Sequence, residues 1–476
     1  MINLTIAWVL IPMFFGLIIY LIPKFDRYIA VTVAIFSTVY ALQLFFTQLP
    51  FTLTLLGNFG VAIMIDELSG YFILTNALVT IAVIVYCWNT GKSAFFYTQL
   101  IILHGCVNSA FICADFISLY VALEVIGIAV FLLVSYPRSD RSIWIALRYM
   151  FVSNTAMLFY LVGTVLLYQS NRSFAFTGLS TAPTQAIALI FVGLLTKGGI
   201  FISGLWSPLT NSESETPVSA LLSGIVEKAG IFPLARCVLM FNEIDPILRI
   251  LAGGTIFLGT VYAIAEKDTK RTLAFSTIAQ LGWILAAPGV GGMYALAHGL
   301  AKTAIFLIVG NFPSRNFQEL KATSIDTRLW IALLIPCLSI SGCPLFIGFG
   351  AKILTLDNLL PWQTIIMNIG AVGTVIVYAK FLFLPHGQET EIRPSFWPPI
   401  ILLTVALIAT NSFDFQAYTM INVVKSLIII AIGWLAHLLI FQRYILNLPR
   451  VLEQFEHLIG MMSVILLSLF WLLTVR

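Results

Sequence analysis

The sequence predicts an all-α polytopic membrane protein with about 14–16 transmembrane helices. Three observations lead there. Of its 476 residues, 60% are hydrophobic and only 10% charged, where a soluble domain carries about a quarter charged residues; mean hydropathy is +0.99. Apolar runs of about 18–25 residues recur from end to end, as a hydrocarbon core about 30 Å thick requires of helices. Lys and Arg crowd into alternate loops.

Taken in order, the first run, 3–22, lacks the basic start and small-residue cleavage site of a secretory signal, so it is read as a retained span. The second, 29–47, follows Lys24 and Arg27. The connector 47–65 has no basic residue and is expected to lie along the membrane face. Spans 66–88, 95–113, 115–135, 145–168, 184–206 and 217–240 come next, joined by short connectors. Then follow 246–265, 271–288, 291–312, 327–356, 362–384, 397–411, 418–442 and 457–475.

Numbering the loops between these spans separates the charges. Odd-numbered loops hold Lys24, Arg27, Lys92, Arg138, Arg141, Lys267, Lys270, Arg271, Arg315, Lys321, Arg328, Lys380, Arg393, Arg443 and Arg450. Even-numbered loops and the span ends beside them hold the arginines Arg172, Arg236 and Arg249. The positive-inside rule puts the odd loops on the cytoplasmic or equivalent side and both termini opposite. A missed span would scramble this alternation. The chain is read as an integral, multi-pass membrane protein.

Cysteine and histidine usage argues against resident cofactors. The six cysteines (Cys87, Cys106, Cys113, Cys237, Cys337, Cys343) lie singly in apolar surroundings, without ligand spacing. The five histidines are scattered, and neither a Gly-rich dinucleotide fingerprint nor a P-loop is present. No cofactor, metal or nucleic acid is expected, and no redox chemistry in this chain. Any redox chemistry would belong to another subunit.

Two spans are interrupted. The seventh runs through Lys197-Gly198-Gly199 to Gly204-Leu205-Trp206-Ser207-Pro208; the twelfth contains Ser341-Gly342-Cys343-Pro344, then Gly348, Gly350 and Lys352. Broken helices leave backbone groups that hydrocarbon cannot satisfy, so they belong where protein or a watery cavity covers them. The breaks are five helices apart, each beside a lysine, which suggests two five-helix repeats of the inverted kind common in transporters. The organisation expected is 1–90 as N-terminal helices, 91–240 and 246–385 as the repeats, and 395–476 as C-terminal helices. Ordinary Gly and Pro enrichment in membrane helices is the alternative.

Five charged residues stand out inside apolar spans: Glu124, Lys197, Lys228, Lys302 and Lys352. Each costs roughly 2.5–3.5 kcal/mol even on lenient insertion scales, so each needs a partner, water or a task. Desolvation and a nearby opposite charge act on a buried acid in opposite directions. A Glu124–Lys197 pair can therefore switch which partner holds the proton, or else serve as a static brace. His298 precedes Lys302 by four residues and shares its helix face; a histidine there can relay protons or simply pack. Glu227 adjoins Lys228 but points about 100° away, so it is expected to pair with another helix and is a secondary candidate. Asp115 reads as interfacial and structural.

At these residues the chain resembles the proton-conducting antiporter-like subunits shared by Mrp-type multisubunit Na⁺/H⁺ antiporters and respiratory complex I. The resemblance spans roughly residues 60–385. It rests on Leu123-Glu124, on Thr216-Pro217-Val218-Ser219-Ala220-Leu221-Leu222 leading to Lys228-Ala229-Gly230, and on Asp268-Thr269-Lys270-Arg271-Thr272-Leu273-Ala274-Phe275-Ser276-Thr277-Ile278. His298 to Lys302 and Gly342-Cys343-Pro344-Leu345-Phe346-Ile347-Gly348-Phe349 complete it.

The resemblance implies inverted five-helix repeats with broken seventh and twelfth helices. It also implies proton transfer through Glu124, Lys197, Lys228, His298, Lys302 and Lys352. Two departures stand out. The histidine that usually follows the broken seventh helix is absent from Ile202-Ser203-Gly204-Leu205-Trp206, and Tyr294 stands where a further histidine is frequent. Tyr294 is thus a secondary candidate for supporting a water chain. The Ser219-Ala220-Leu221-Leu222-Ser223-Gly224 wording looks closest to the D-type member of Mrp antiporters, which implies a proton-translocating subunit of a cation/proton antiporter. The alternative is a non-redox pumping subunit of a complex I-type NAD(P)H–quinone oxidoreductase, or of a related inorganic-carbon uptake or hydrogenase complex. Either implies other membrane subunits as partners. The exchanged cation stays open, because the sequence offers no evident cluster of carboxylates and carbonyls for Na⁺.

Overall fold

The computed structural model describes residues 2–47, 49–55, 61–413, 415–443 and 448–474. Helices α1 (Ile2–Leu21) and α2 (Asp26–Leu44) form an antiparallel pair at the edge. The connector after them is not a plain surface segment. It carries a hairpin of β1 (Phe51–Thr54) and β2 (Ala62–Ile65), in register from Phe51 opposite Ile65 to Thr54 opposite Ala62. Alternation in Phe51-Thr52-Leu53-Thr54 lets one face of β1 rest on the bundle. Arg236 anchors the same region from inside, donating to the Asp66 carboxylate at 2.8 Å and to the Met64 and Cys113 carbonyls at 3.2 Å.

Helices α3 (Glu67–Tyr86), α4 (Ala94–Ala110), α5 (Phe116–Val134) and α6 (Asp140–Asn171) follow. Several begin on side-chain caps. Asp66 accepts from the Ser69 N–H at 2.8 Å, Asp115 from the Ser118 N–H at 2.7 Å and Ser139 from the Ser142 N–H at 3.1 Å. Asp115 is therefore structural.

The seventh span is α7 (Thr184–Lys197), a 3₁₀ segment, and α8 (Ser207–Glu213). The break falls at Gly199, whose φ of +68° an L side chain rarely adopts. The eighth span is α9 (Thr216–Leu221), a π-helical turn over Leu222–Val226, and α10 (Lys228–Met240). Helices α11 (Asp245–Ala265), α12 (Thr269–Ala286) and α13 (Gly291–Val309) are continuous, and α14 (Phe317–Thr323) is a short surface helix. The parallel pair β3 (Ile325–Asp326) and β4 (His386–Gln388) clips the loop before the twelfth span to the loop after the thirteenth.

The twelfth span is α15 (Thr327–Ser341) and α16 (Ile347–Asp357), broken at Gly342 with φ +87°. Helices α17 (Gln363–Leu382), α18 (Trp397–Ala409), α19 (Met420–Ala436) and α20 (Phe455–Thr474) follow. All sixteen expected spans thus have a helical counterpart. Thirteen are long and apolar enough to cross a bilayer by themselves among the described residues. The others are α4, the broken α15/α16, and α12, whose Lys270, Arg271 and Gln280 dilute its apolar content.

Burial is graded from rim to centre. Helices α1, α19 and α20 bury only a minority of their side chains, whereas α10, α12 and α13 are almost wholly enclosed. Helix α20 does not stay near its predecessor. The segment before it crosses the basic face, and α20 packs on α7 and the 3₁₀ segment after it. That crossing is fixed by ions: Glu453 accepts from Arg271 at 2.6 and 2.8 Å, its carbonyl accepts from Arg148 at 2.5 Å, and Arg450 donates to Glu266 at 2.9 Å.

A buried polar axis through the bundle

Glu124 sits on α5 with Val121 and Ile128, both exposed, one turn to either side, and is itself half-buried at the flank of the chain. Lys197, the last residue of α7, is 7% exposed. The expected ion pair is not closed. The Lys197 amine donates to Ser153 Oγ on α6 at 2.5 Å, while remaining within electrostatic reach of Glu124. Gly127, one turn after Glu124, makes the socket: a Cβ there would lie 3.1 Å from the Lys197 amine and 3.3 Å from Ser153 Oγ. A cavity of about 10 Å³ beside the amine, lined by Tyr149, Ser153, Thr196 and Trp206, is about the size that admits one water.

The centre of the bundle holds Glu227, Lys228, His298 and Lys302, each at most 1% exposed. Lys228 turns back on its own helix, donating to the Gly224 carbonyl at 2.5 Å and the Ser223 carbonyl at 3.2 Å. Those acceptors lie in the π-helical turn, where the ordinary i→i−4 ladder is interrupted. Glu227 points elsewhere, as adjacent helical residues must. Its Oε1 accepts from Ser207 Oγ at 2.5 Å and from Asn211 Nδ2 at 3.3 Å on α8. His298 lies within electrostatic reach of both Lys228 and Lys302, and neither ring nitrogen has a partner among the described residues. Buried polar atoms are rarely left so.

From Lys302 a polar seam runs along one face of α12. Lys302 donates to the Leu273 carbonyl at 2.7 Å and its amine lies 5.5 Å from the Tyr378 ring centre. The Tyr378 hydroxyl meets Ser276 Oγ at 2.9 Å. One turn on, Gln280 donates to Thr374 Oγ1 at 3.0 Å and accepts a short hydrogen bond from the Tyr294 hydroxyl. Tyr294 stacks on Trp283, with ring centres 5.6 Å apart, and the Lys352 amine lies 5.4 Å from the Trp283 ring. Leu273, Ser276, Gln280 and Trp283 are spaced by three or four residues and so share one stripe of the helix.

Lys352 ends the seam. Its amine is buried, has no hydrogen-bond partner among the described residues, and borders a cavity of about 920 Å³ between α11, α16, α17 and α19. That cavity is mostly apolar and carries Asp357 and Lys425 at its rim. Its glycine neighbour Gly342 brings the twelfth-span break against the Lys352 side chain.

The candidates fall into three groups: Glu124 near Lys197, Glu227 and Lys228 with His298 and Lys302, and Tyr294 with Lys352 beside Trp283. Ser153, Gln280, Thr374 and Tyr378 line these groups, though isolated Ser, Thr and Tyr in membrane helices carry little signal. Gln280, an amide inside an apolar run, is the legible one. Not every buried cation joins in. Lys380 donates to the Ala263, Ile264 and Glu266 carbonyls at 3.1, 3.3 and 2.5 Å, so it caps the C-terminus of α11.

A second polar cluster, unpredicted, lies apart from the axis among α1 to α4. Ser37 Oγ meets Trp8 Nε1 at 3.0 Å and His104 Nε2 at 2.8 Å, while Thr80 Oγ1 meets His104 Nδ1 at 3.1 Å. Asn76 donates to Asn108 Oδ1 at 2.8 Å. Both ring nitrogens of His104 are engaged, unlike those of His298, which suits a brace between helices rather than a relay.

Residues 113–377 match the family described as NADH:quinone oxidoreductase/Mrp antiporter, TM. The chain is similar to the D-type Na(+)/H(+) antiporter subunit of Alkalihalophilus pseudofirmus, 26% identical over 453 residues, covering 85% of this chain and 91% of that one. It is also similar to the N-type NADH-quinone oxidoreductase subunit of Desulforudis audaxviator, 28% identical over 328 residues, covering 62% of this chain and 65% of that one. The fold resembles that of the Mrp complex from Dietzia sp., with a TM-score of 0.77 at 21% identity, covering 92% of this chain and 56% of the matched one.

Proposed function

The chain belongs to the NADH:quinone oxidoreductase/Mrp antiporter transmembrane family, and on that premise we propose that it is the proton-translocating, D-type member of a multisubunit Mrp cation/proton antiporter. Residues 91–240 and 246–385 are its two repeats, each with a broken helix and a lysine at or beside the break. Protons move between Glu124 and Lys197, through the Lys228–His298–Lys302 centre, and along the α12 stripe to Lys352.

The observation that carries this reading is the stripe of polar and aromatic side chains that α12 presents between two buried lysines of other helices. Ser276, Gln280 and Trp283, with Tyr378 and Tyr294, line the interior between Lys302 on α13 and Lys352 on α16. The amines at Lys228 and Lys302 rest on backbone carbonyls rather than on carboxylates. A carbonyl holds a protonated amine without locking it in an ion pair, so the proton can leave when a neighbouring charge changes.

Assembly with other membrane subunits follows from the flank. Glu124 is half-buried at membrane depth, where an acid facing lipid is costly, so a neighbouring subunit belongs over α5. The D-type reading is preferred to the N-type reading because the D-type relative aligns over 85% of the chain and the N-type relative over 62%. The test is cation-dependent proton exchange in vesicles carrying the assembled complex. Wild-type activity lost in Glu124→Gln and Lys197→Ala, with assembly retained, is the expected result. Exchange at wild-type rates in both variants would overturn it.

A further inference from the structure

Glu227 is the buried acid at the centre of the bundle, and half of its carboxylate is unaccounted for. Oε1 accepts from Ser207 and Asn211, but Oε2 has no partner among the described residues, and neither has Oδ1 of Asn211. All three residues are 0% exposed. Two orphaned oxygen acceptors in one contacting cluster call for a donor or a cation.

The surroundings favour a cation. The Glu227 carboxylate lies against the α7 break, where a Cβ on Gly199 would be 3.8 Å from Glu227 Cδ. The C-terminal end of a half-helix carries partial negative charge, the setting in which transporters hold small cations. No lysine has closed on the acid: Lys228 is committed to the Gly224 and Ser223 carbonyls, and Lys302 to that of Leu273.

We propose that Glu227, Asn211 and Ser207 form a binding site for a small hard monovalent cation, Na⁺ or Li⁺, set beside the α7 break. This deepens the antiporter reading and rests on it. The charged and titratable groups within reach of Glu227 are Lys228, Lys302 and Tyr149. A cation at Glu227 and protons on Lys228 or Lys302 repel each other, so loading one favours unloading the other. Mutual exclusion of that kind is what exchange requires.

The test uses the assembled complex in detergent, in Na⁺-free buffer. Dicyclohexylcarbodiimide should modify Glu227, located by peptide mass spectrometry, and Na⁺ or Li⁺ should slow that modification at least tenfold while K⁺ leaves it unchanged. Radiolabelled Na⁺ bound per complex should fall by about one site in Glu227→Gln and in Asn211→Leu, and persist in Glu124→Gln even though proton transfer stops there. The site is overturned if Na⁺ gives no protection, if Glu227 never labels, or if Glu227→Gln binds Na⁺ as the wild type does. Protection by pH alone, with no Na⁺ effect, would make Glu227 a proton station only and also overturn it. Loss of the Na⁺ site in Glu227→Gln, combined with a Glu124→Gln variant that still moves protons, would instead sink the proton axis and leave the site standing.

Discussion

Lys197 and Ser153 are joined by a 2.5 Å hydrogen bond that holds the amine beside Gly127, one helical turn along α5 from Glu124, rather than on the acid itself. The amine therefore feels the charge of Glu124 without the tight ion pair that would trap a proton, and on its other side it borders a water-sized cavity lined by Tyr149, Thr196 and Trp206.

Removing either end of this relation should stop the transfer. Glu124→Gln and Lys197→Ala are expected to lower cation-driven proton exchange at least about 100-fold, the lower range for losing an acid–base group. Gly127→Val should give a similar loss by filling the socket. Vesicle pH-quench assays, with complex assembly followed by native gels, would check this; activity retained in Gly127→Val would show that the socket is unimportant.

The α12 stripe makes a second prediction. Lys302→Ala and Lys352→Ala should impair exchange severely. Tyr294→Phe deletes one hydroxyl bonded to Gln280, and about a tenfold slowing corresponds to the roughly 1–1.5 kcal/mol carried by one such bond. Gln280→Leu should be worse, since it removes both the acceptor of the Tyr294 hydroxyl and the donor to Thr374. If Gln280→Leu transports normally while both lysine variants fail, protons bypass this face of α12.

The C-terminal crossing should matter for stability more than for turnover. Arg271 and Glu453 are each 8% exposed and bonded twice over. Glu453→Ala leaves a buried guanidinium without one of its partners, which costs about 3–5 kcal/mol for comparable buried pairs. Thermal unfolding in detergent should show a clear drop. Replacing both partners together, Arg271→Met with Glu453→Leu, should recover much of it, and failure to recover would point to Glu266, which loses its 3.0 Å bond from Arg271 and keeps, among the described residues, only Arg450 as a side-chain donor.

Acid should loosen the loop clip beside α15. Hydrogen bonding from Arg328 holds the Asp326 carboxyl well below the usual carboxylate range. A depressed folded-state value means the contribution is fully present above the unfolded value of about 3.9 and fades as pH falls from there toward the lower folded value. Asp326→Asn should remove this pH dependence while leaving stability near pH 7 lower. Unfolding midpoints across that window, wild type against variant, decide it; parallel curves would exclude Asp326 as the source.

The spans are legible in the sequence because hydrocarbon demands long apolar runs and tolerates few charges, so Glu124 and the lysines stand out by contrast. The broken helices are legible through Gly199 and Gly342, where backbone geometry selects the residue. Where each amine points is not. Lys197 is expected on Glu124 but turns to Ser153, because the choice depends on the space left by Gly127 on another helix. Lys228 and Lys302 bind carbonyls, and every residue has one, so residue type carries no trace of it. The β1–β2 hairpin escapes notice for a related reason: a four-residue alternation is too short to stand out among apolar spans. His104 does so because its partners, Ser37, Asn76, Thr80 and Asn108, come from three different helices.

The return of α20 to α7 has a bearing on how the protein is made. The break at Gly199 emerges from the ribosome well before the helix that walls it. Until α20 inserts, the face of α7 and of the 3₁₀ segment that it covers is left open to lipid. Biogenesis of that half must therefore wait for a much later stretch of translation or borrow a temporary cover, and a chain cut short before α20 should be recognised as unfinished and degraded.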